Sequence, residues 1–327
     1  MKIGNVELKH GLFLAPMAGF SDRAMRRICY EMGAEYSVSE MISAKAVTFG
    51  DKKTFALAGI RPDEGAVALQ IFGNEPDIMG KAAEILSSRS VPEGFASPCA
   101  IDINMGCPVH KIYSNGEGSA LMKNPDLIYK IVKSVKENTD LPVTVKHRTG
   151  IDSEHINAVE CAQAAEAAGA SLITVHGRTK AQMYSGQVDR ETIKKVKESV
   201  HIPVIANGDI LSGVDAVSML NDTGADGIAV GRGAVGNPFI FKEICAILDG
   251  GMYTPPTTEE NVRVALWQLR LAIEDKGERV AVPEARKQIA SYLHSFRGAA
   301  IIRAEINRAL TYNEIEHIML NALENER

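Results

Sequence analysis

Short apolar runs alternate with amphipathic stretches from residue 12 to about residue 249. The runs 12–15, 36–39, 67–71, 100–104, 143–146, 172–176, 204–207 and 227–230 have the length and composition of buried strands. Between them, the segments 77–87, 126–137, 156–168 and 213–223 place apolar residues three and four apart, which predicts helices. Asn124-Pro125-Asp126 and Asp152-Ser153 read as helix starts. Gly169 and Gly224 stand where helix C-caps fall. Eight strands alternating with helices over ~240 residues predict an α/β fold, a (β/α)8 TIM barrel. The alternative, an open doubly wound sheet, would carry Gly-x-Gly-x-x-Gly after its first strand. Here that strand ends in Ala15-Pro16-Met17-Ala18-Gly19.

The texture changes after the barrel. Residues 250–256, Gly-Gly-Met-Tyr-Thr-Pro-Pro, read as a linker. Residues 257–327 contain no strand-like run, and helical patterning at 262–274, 284–296, 299–310 and 313–324 predicts a small helical bundle. The expected organisation is a catalytic barrel over 1–249 and a helical domain over 257–327.

Hydrophobic content of 45% suits a globular core. No apolar run approaches the ~20 residues that span a bilayer. Residues 1–7 are polar and lead into a strand, which predicts no signal peptide. The cysteines (Cys29, Cys99, Cys107, Cys161, Cys245) are odd in number and scattered, without C-x-x-C or metal-ligand spacing. That pattern predicts a reducing cytoplasm, no disulfide frame and no metal site. A net charge of −5 argues against a non-specific polyanion binder.

Barrels of this kind carry their chemistry at the C-terminal ends of the strands. Those ends read Pro16-Met17-Ala18, Glu40, Gln70, Asn104 with Cys107, Lys146 with Arg148, His176 with Arg178, Asn207-Gly208-Asp209 and Gly231-Arg232-Gly233. Any one polar strand end is unremarkable; eight in order point to a site. The last two groups occupy the place where barrels bind phosphate, through backbone N–H groups and glycines that allow close approach. Arg232 would add a bidentate charge. Within Ile101–Pro108, Cys107 falls on a strand-to-loop corner. A thiol with an ordinary pKa of about 8.5 is a proton donor at neutral pH, or a nucleophile if the thiolate is favoured. The plainer alternative is a buried structural cysteine. In the C-terminal region, Arg286, Lys287, Arg297, Arg303 and Arg308 face a single acid, Glu305, with Tyr292, His294 and Phe296 interleaved. This is either a solvated helix face over core aromatics or a surface that tracks phosphates.

The motifs in order resemble the tRNA-dihydrouridine synthases, and the bacterial members above all. They are Ala-Pro-Met-Ala-Gly at 15–19 with Asp22 and Arg26, Ser-Glu-Met at 39–41, Gln-Ile-Phe-Gly at 70–73 and Asp-Ile-Asn-Met-Gly-Cys-Pro at 102–108. They continue with Gly-Glu-Gly-Ser-Ala-Leu-Met at 116–122, Val-Lys-His-Arg-Thr-Gly at 145–150, His-Gly-Arg-Thr at 176–179, Asn-Gly-Asp-Ile at 207–210 and Gly-Arg-Gly at 231–233. The stretch from Arg286-Lys287 through Tyr292 to Arg297-Gly298-Ala299-Ala300 extends the likeness into the tail. His147 departs from the apolar or aromatic residue that members often carry there.

The resemblance implies an FMN enzyme that reduces uridine in folded tRNA to 5,6-dihydrouridine, with NADPH or NADH reloading the flavin; the sequence leaves the oligomeric state open, with a monomer as the default expectation. Pro16, Met17 and Ala18 would line the flavin; Gln70 and Lys146 would bond its rings; His176 would sit beside it. Asn207, Gly208, Asp209, Gly231 and Arg232 would hold its ribityl chain and phosphate. Asn104 would bond the target uracil. Hydride from flavin N5 to C6 would be matched by a proton from Cys107 to C5. From their position, taken to be the loop after the sixth strand, Arg178 and Tyr184 are either guides for the RNA or a solvent arginine and a loop-packing tyrosine; Arg286, Lys287, Arg297 and Arg303 are the candidate RNA contacts of the tail. Two other readings compete: an FMN barrel acting on a free pyrimidine or a dihydroorotate-like molecule, and a flavin-free RNA-binding scaffold. The basic helical tail disfavours the first, and undegraded motifs at Lys146, Asn207 and Cys107 disfavour the second.

Overall fold

Eight parallel strands run Leu12–Leu14 (β1), Tyr36–Val38 (β2), Ala66–Phe72 (β3), Ala100–Met105 (β4), Val143–Arg148 (β5), Leu172–His176 (β6), Val204–Asn207 (β7) and Gly227–Val230 (β8). Each pairs with its sequence neighbours, and β1 pairs with both β2 and β8, which closes the ring. The computed structural model describes residues 1–294 and 296–325. Ser295, within the helix expected over 284–296, and residues 326–327 of the expected helical unit lie outside the described residues. The expected TIM barrel is what the chain forms. A short hairpin, Lys2–Ile3 with Val6–Glu7, precedes it, and a two-residue strand, Ile42–Ser43, adds to the end of β3.

The helices that follow β1–β8 are Arg23–Glu31 (α1), Ala44–Thr48 (α2), Pro76–Ser88 (α3), Pro125–Glu137 (α4), Ala158–Ala167 (α5), Arg190–Ser199 (α6), Gly213–Thr223 (α7) and Ile240–Leu248 (α8). Their starts follow from capping chemistry. Asp22, Asn124, Asp189 and Ser212 each accept a first-turn N–H through the side chain. Asp152 does not start α5 as expected. Its Oδ1 accepts the N–H groups of Glu154 and His155, both at 3.0 Å, and this local turn holds the chain until residue 158.

Side-chain parity divides the core in two. Outward strand residues such as Ile101, Ile103, Val143 and Val145 pack under the helices. Inward residues of the lower barrel, Phe13, Tyr36, Ala68, Ala100, Leu172, Ile205 and Ala229, form a separate apolar plug, sealed beneath by Ile3 and Leu8. Above it, the same inward parity becomes polar: Gln70, Asp102, Asn104, Thr144, Lys146, Arg148, His176 and Asn207. The strands are apolar where they close the barrel and chemical where they leave it.

After an extended stretch, four helices follow: Thr258–Lys276 (α9), Glu278–Ser291 (α10), Ala299–Ile306 (α11) and Tyr312–Glu324 (α12). Thr257 and Glu260 form a capping box at the start of α9. The unit docks on the β1–α1 loop and α1. Lys276 Nζ lies 3.0 Å from Asp22 Oδ2, Arg23 pairs with Asp275, and Gln288 Nε2 donates to Gly19 O at 3.2 Å. Gly236, with φ of 72°, lets the β8–α8 loop press against Ser291; a Cβ there would lie 2.4 Å from the Ser291 backbone.

Beside the β1–α1 loop, Arg26 and Glu64 form an ion pair at 2.7 Å with both side chains almost wholly buried. Arg26 also donates to Ser21 O and Gly59 O. Arg26→Met leaves a buried carboxylate without its partner and should cost about 3–5 kcal/mol. A thermal melt of Arg26→Met should show that loss, and Arg26→Met with Glu64→Leu should recover most of it.

Candidate active site

The polar strand ends, except Glu40 and Arg178, line one cavity of about 740 Å³ at the C-terminal face of the barrel, and Glu40 instead accepts the Gly19 N–H at 2.6 Å. Strand register brings its residues together. Gln70, Asp102 and Thr144 are paired positions on β3, β4 and β5, and Asn104 stands opposite Lys146. Arg148, His176 and Asn207 form the next row. Pro16, Met17, Ala18, Gly208, Asp209, Gly231, Arg232 and Tyr184 complete the expected set around the same space.

Cys107 is half-buried in the cavity wall. Its turn is held from three sides. Its own N–H donates to Asn104 Oδ1 at 2.9 Å, and the Gly106 N–H does so at 3.2 Å. Ser119 donates to Cys107 O through both its N–H and its hydroxyl, and Arg148 Nε donates to Gly106 O at 2.7 Å. Burial raises the thiol's pKa, against the pull of the Val109 N–H, Arg148 and Lys146. The sulfur therefore carries its proton at neutral pH.

Asn104 was expected to face a substrate base. Its oxygen is taken by the two turn N–H groups, and its nitrogen donates to Gln70 Oε1 at 2.8 Å and approaches Met41 Sδ at 3.9 Å. What it offers a ligand is the N–H beside that sulfur. Gln70, only 1% exposed, is similarly engaged, with Nε2 on Asp102 Oδ2 at 2.7 Å.

Cations crowd the opposite wall. Lys146 makes no hydrogen bond among the described residues, and burial, then Arg148, push its pKa down to about 8. Burial and then Lys146, Arg148, Arg178 and Arg232 push His176 down to about 2, so its imidazole is neutral. His147, the departure in the sequence, lies on the other face of β5. It is fully buried, with Nδ1 2.8 Å from Arg148 O and its pKa pushed by burial down to about 4. Lys146 and Arg148 keep their inward direction because the strand alternates.

Asn207 Nδ2 donates to Ala229 O at 2.7 Å. A Cβ on Gly231 would meet nothing nearer than Met17 Sδ at 3.6 Å, so that backbone is open to the cavity. Asp209, with φ of 48°, turns its carboxylate away from a free role. It accepts from Arg178 at 2.9 and 2.6 Å and from Arg232 at 3.2 Å. Arg178 corrects an expectation. It is 2% exposed, and its remaining N–H groups hold Ser185 O and Gly186 O. It shapes the loop after β6 and has no reach to an RNA. Tyr184, on that loop, is 55% exposed, with the Arg232 guanidinium 4.7 Å from its ring centre.

The helical unit contributes Lys287 and Ser291 to the cavity wall. Both also line an adjoining cleft with Arg303 and Asn307. Lys287 Nζ lies 4.6 Å from the ring centre of Phe20, another cavity residue. Arg303 and Arg297 are exposed. Arg286 is half-buried, with two of its nitrogens holding Ala309 O just after α11. Tyr292 and Phe296 are core residues, and Tyr292 Oη donates to Gln268 Oε1 at 2.6 Å. Arg148 was read only as a strand end with no assigned role, and Phe20 in the wall and Asp102 and Thr144 in the row beneath it were not singled out. A charged residue inside the apolar run of β4 was the available signal for Asp102.

Comparison with known proteins bears on this arrangement. A family model described as dihydrouridine synthase (Dus) matches residues 13–326. tRNA-dihydrouridine synthase B of Vibrio vulnificus is 41% identical over 321 residues, covering 98% of this chain and 96% of that protein. A probable tRNA-dihydrouridine synthase of Rickettsia conorii is 40% identical over 309 residues, covering 94% and 91%. Among solved structures, histamine dehydrogenase from Rhizobium sp. 4-9 superposes with a TM-score of 0.56 at 13% identity, over 88% of this chain and 50% of that one. The last likeness bears on the barrel fold alone. The match to the family model over nearly the whole chain, and relatives at this identity over their full length, establish that the chain belongs to the dihydrouridine synthase family.

Proposed function

We propose that this protein reduces specific uridines of tRNA to 5,6-dihydrouridine, with FMN as resident cofactor and NADPH or NADH as reductant. One observation carries the reading. A half-buried thiol and a lysine that makes no hydrogen bond among the described residues share a cavity that opens beside a basic cleft on a second structural unit. The barrel cavity suits a reaction, and the cleft suits a polyanion larger than a free base.

The residues present fit a phosphorylated flavin. The open backbone at Gly231 and the half-exposed Arg232 suit its phosphate. Lys146 suits negative charge on its ring system. Pro16, Met17 and Ala18 supply apolar wall, Gln70 a spare amide N–H, and neutral His176 a ring that adds no further cation. When bound, the cofactor supplies hydride to C6 of the uracil and is restored by NADPH or NADH.

The chain's own contribution is acid chemistry and positioning. Cys107 holds a proton at Sγ and gives it to C5 of the base. The thiolate left behind faces Arg148 and Lys146, which favour it. The base must leave its stack to enter. Tyr184, flat beneath Arg232 at the rim, offers an aromatic face to a splayed nucleotide. Lys287 and Arg303 take phosphates at the cleft; Arg297 is a further contact on the same surface.

Cys107→Ala should leave FMN bound and abolish dihydrouridine formation on unmodified tRNA, measured by nucleoside mass spectrometry with free uridine as a control substrate. Turnover at the wild-type rate would remove Cys107 from the acid role, and equal turnover of free uridine would favour a small-molecule enzyme. FMN affinity in a fluorescence titration should weaken as pH rises through about 8, where Lys146 loses its proton. Lys146→Met should flatten that profile. Lys287→Ala with Arg303→Ala should weaken tRNA binding and reduce the salt slope by about 2. Arg286→Ala should lower the melting temperature and leave the slope unchanged.

A further inference from the structure

Two donors with no alternative fix the direction of every hydrogen bond behind Cys107. The backbone N–H groups of Gly106 and Cys107 can only donate, and both point at one end of the Asn104 amide. That end is therefore oxygen. The Asn104 nitrogen must then face Gln70, which must present its own oxygen, at 2.8 Å. The Gln70 nitrogen must in turn face Asp102, which must accept, at 2.7 Å. The other Asp102 oxygen takes the Thr144 hydroxyl at 2.5 Å. The row is nearly sealed from solvent, with Gln70 1%, Asp102 2% and Thr144 1% exposed.

We infer that Asp102 and Gln70 are positioning residues for Cys107: the acceptor at 102 holds the Gln70 amide, which braces Asn104, whose oxygen anchors the turn bearing the thiol. Strand register makes this possible. Gln70, Asp102 and Thr144 are aligned across β3, β4 and β5, and Asn104 lies two residues above Asp102 on the same inward face. If residue 102 offered no acceptor, the Gln70 amide would lose the bond that holds its nitrogen down. Gln70 could then rotate, and the Asn104 amide would be held by the two turn N–H groups alone. The turn's anchor on the side facing the cavity would lose its brace. The acid role of Cys107 in this relay rests on the proposed function; the relay itself does not.

The test separates the two. Hydrogen–deuterium exchange of the FMN-loaded protein is followed by mass spectrometry in a peptide carrying Gly106 and Cys107. Asp102→Leu keeps the shape of the side chain and removes the acceptor. It should speed exchange at these amides about tenfold, with other barrel peptides unchanged. Asp102→Asn should preserve protection, because its amide oxygen takes the Gln70 N–H and its nitrogen turns to the Thr144 hydroxyl, which also accepts. In Asp102→Leu, kcat for tRNA should fall about tenfold with KM unchanged, the signature of an interaction that matters in the transition state. If Asp102→Leu does not fold, Gln70→Met breaks the relay one link later and is read by the same exchange measurement. Unchanged exchange at Gly106 and Cys107 would overturn the relay, as would faster exchange spread evenly over the barrel or loss of protection in Asp102→Asn. Local loss of protection with undiminished kcat would uphold the relay and overturn the acid role.

Discussion

A closed ring of parallel strands uses up its backbone hydrogen bonds in pairing, so what the ring can do is decided by which side chains point inward. The pleat makes that choice every second residue. On β5 it turns Thr144, Lys146 and Arg148 into the barrel and His147 out of it. A one-residue slip would bury Val145 and His147 in the cavity and put a lysine under a helix. Val143 and Val145, buried under the helices, guard against that slip, because the parity that aims the lysine inward also turns these two valines outward.

The site stores unlike charges unevenly. Lys146, Arg148, Arg178 and Arg232 gather around His176, while the acids nearby are committed to hydrogen bonds within the wall. Asp209 neutralises Arg178 and shares Arg232; Asp102 is turned down into the core row. The field left over in the cavity is positive, and it adds to burial, the larger cause, in lowering the lysine and keeping the histidine neutral. Such a cavity favours an anionic occupant before any specific contact is made.

Much of this could be read from the chain. The strand boundaries fall within a residue or two of the apolar runs, because buried strands tolerate little else. The ends of those strands name most of the cavity. What could not be read depends on partners distant in sequence. Arg178 and Arg232 look alike as residues beside strand ends, yet only one is buried, because the carboxylate at 209 and the loop carbonyls at 185 and 186 enclose it. Arg286 belongs to a basic run and is spent on a carbonyl 23 residues away. The helix expected from 284 begins at 278 and carries Pro283 inside it, at the cost of one ladder hydrogen bond. The relay behind Cys107 needed the register of three strands, which spacing alone does not supply.

The β1–α1 loop belongs to two structures at once. Its residues 16–18 form a wall of the cavity, while its next residues are the seat of the helical unit: Gln288 on Gly19, Lys287 over Phe20, Lys276 on Asp22. The barrel is therefore not a free-standing cofactor domain with an RNA handle attached. Cutting the chain after residue 249 would strip the brace from the wall against which the cofactor is proposed to lie, and a fragment so made would lose its small ligand along with its large one.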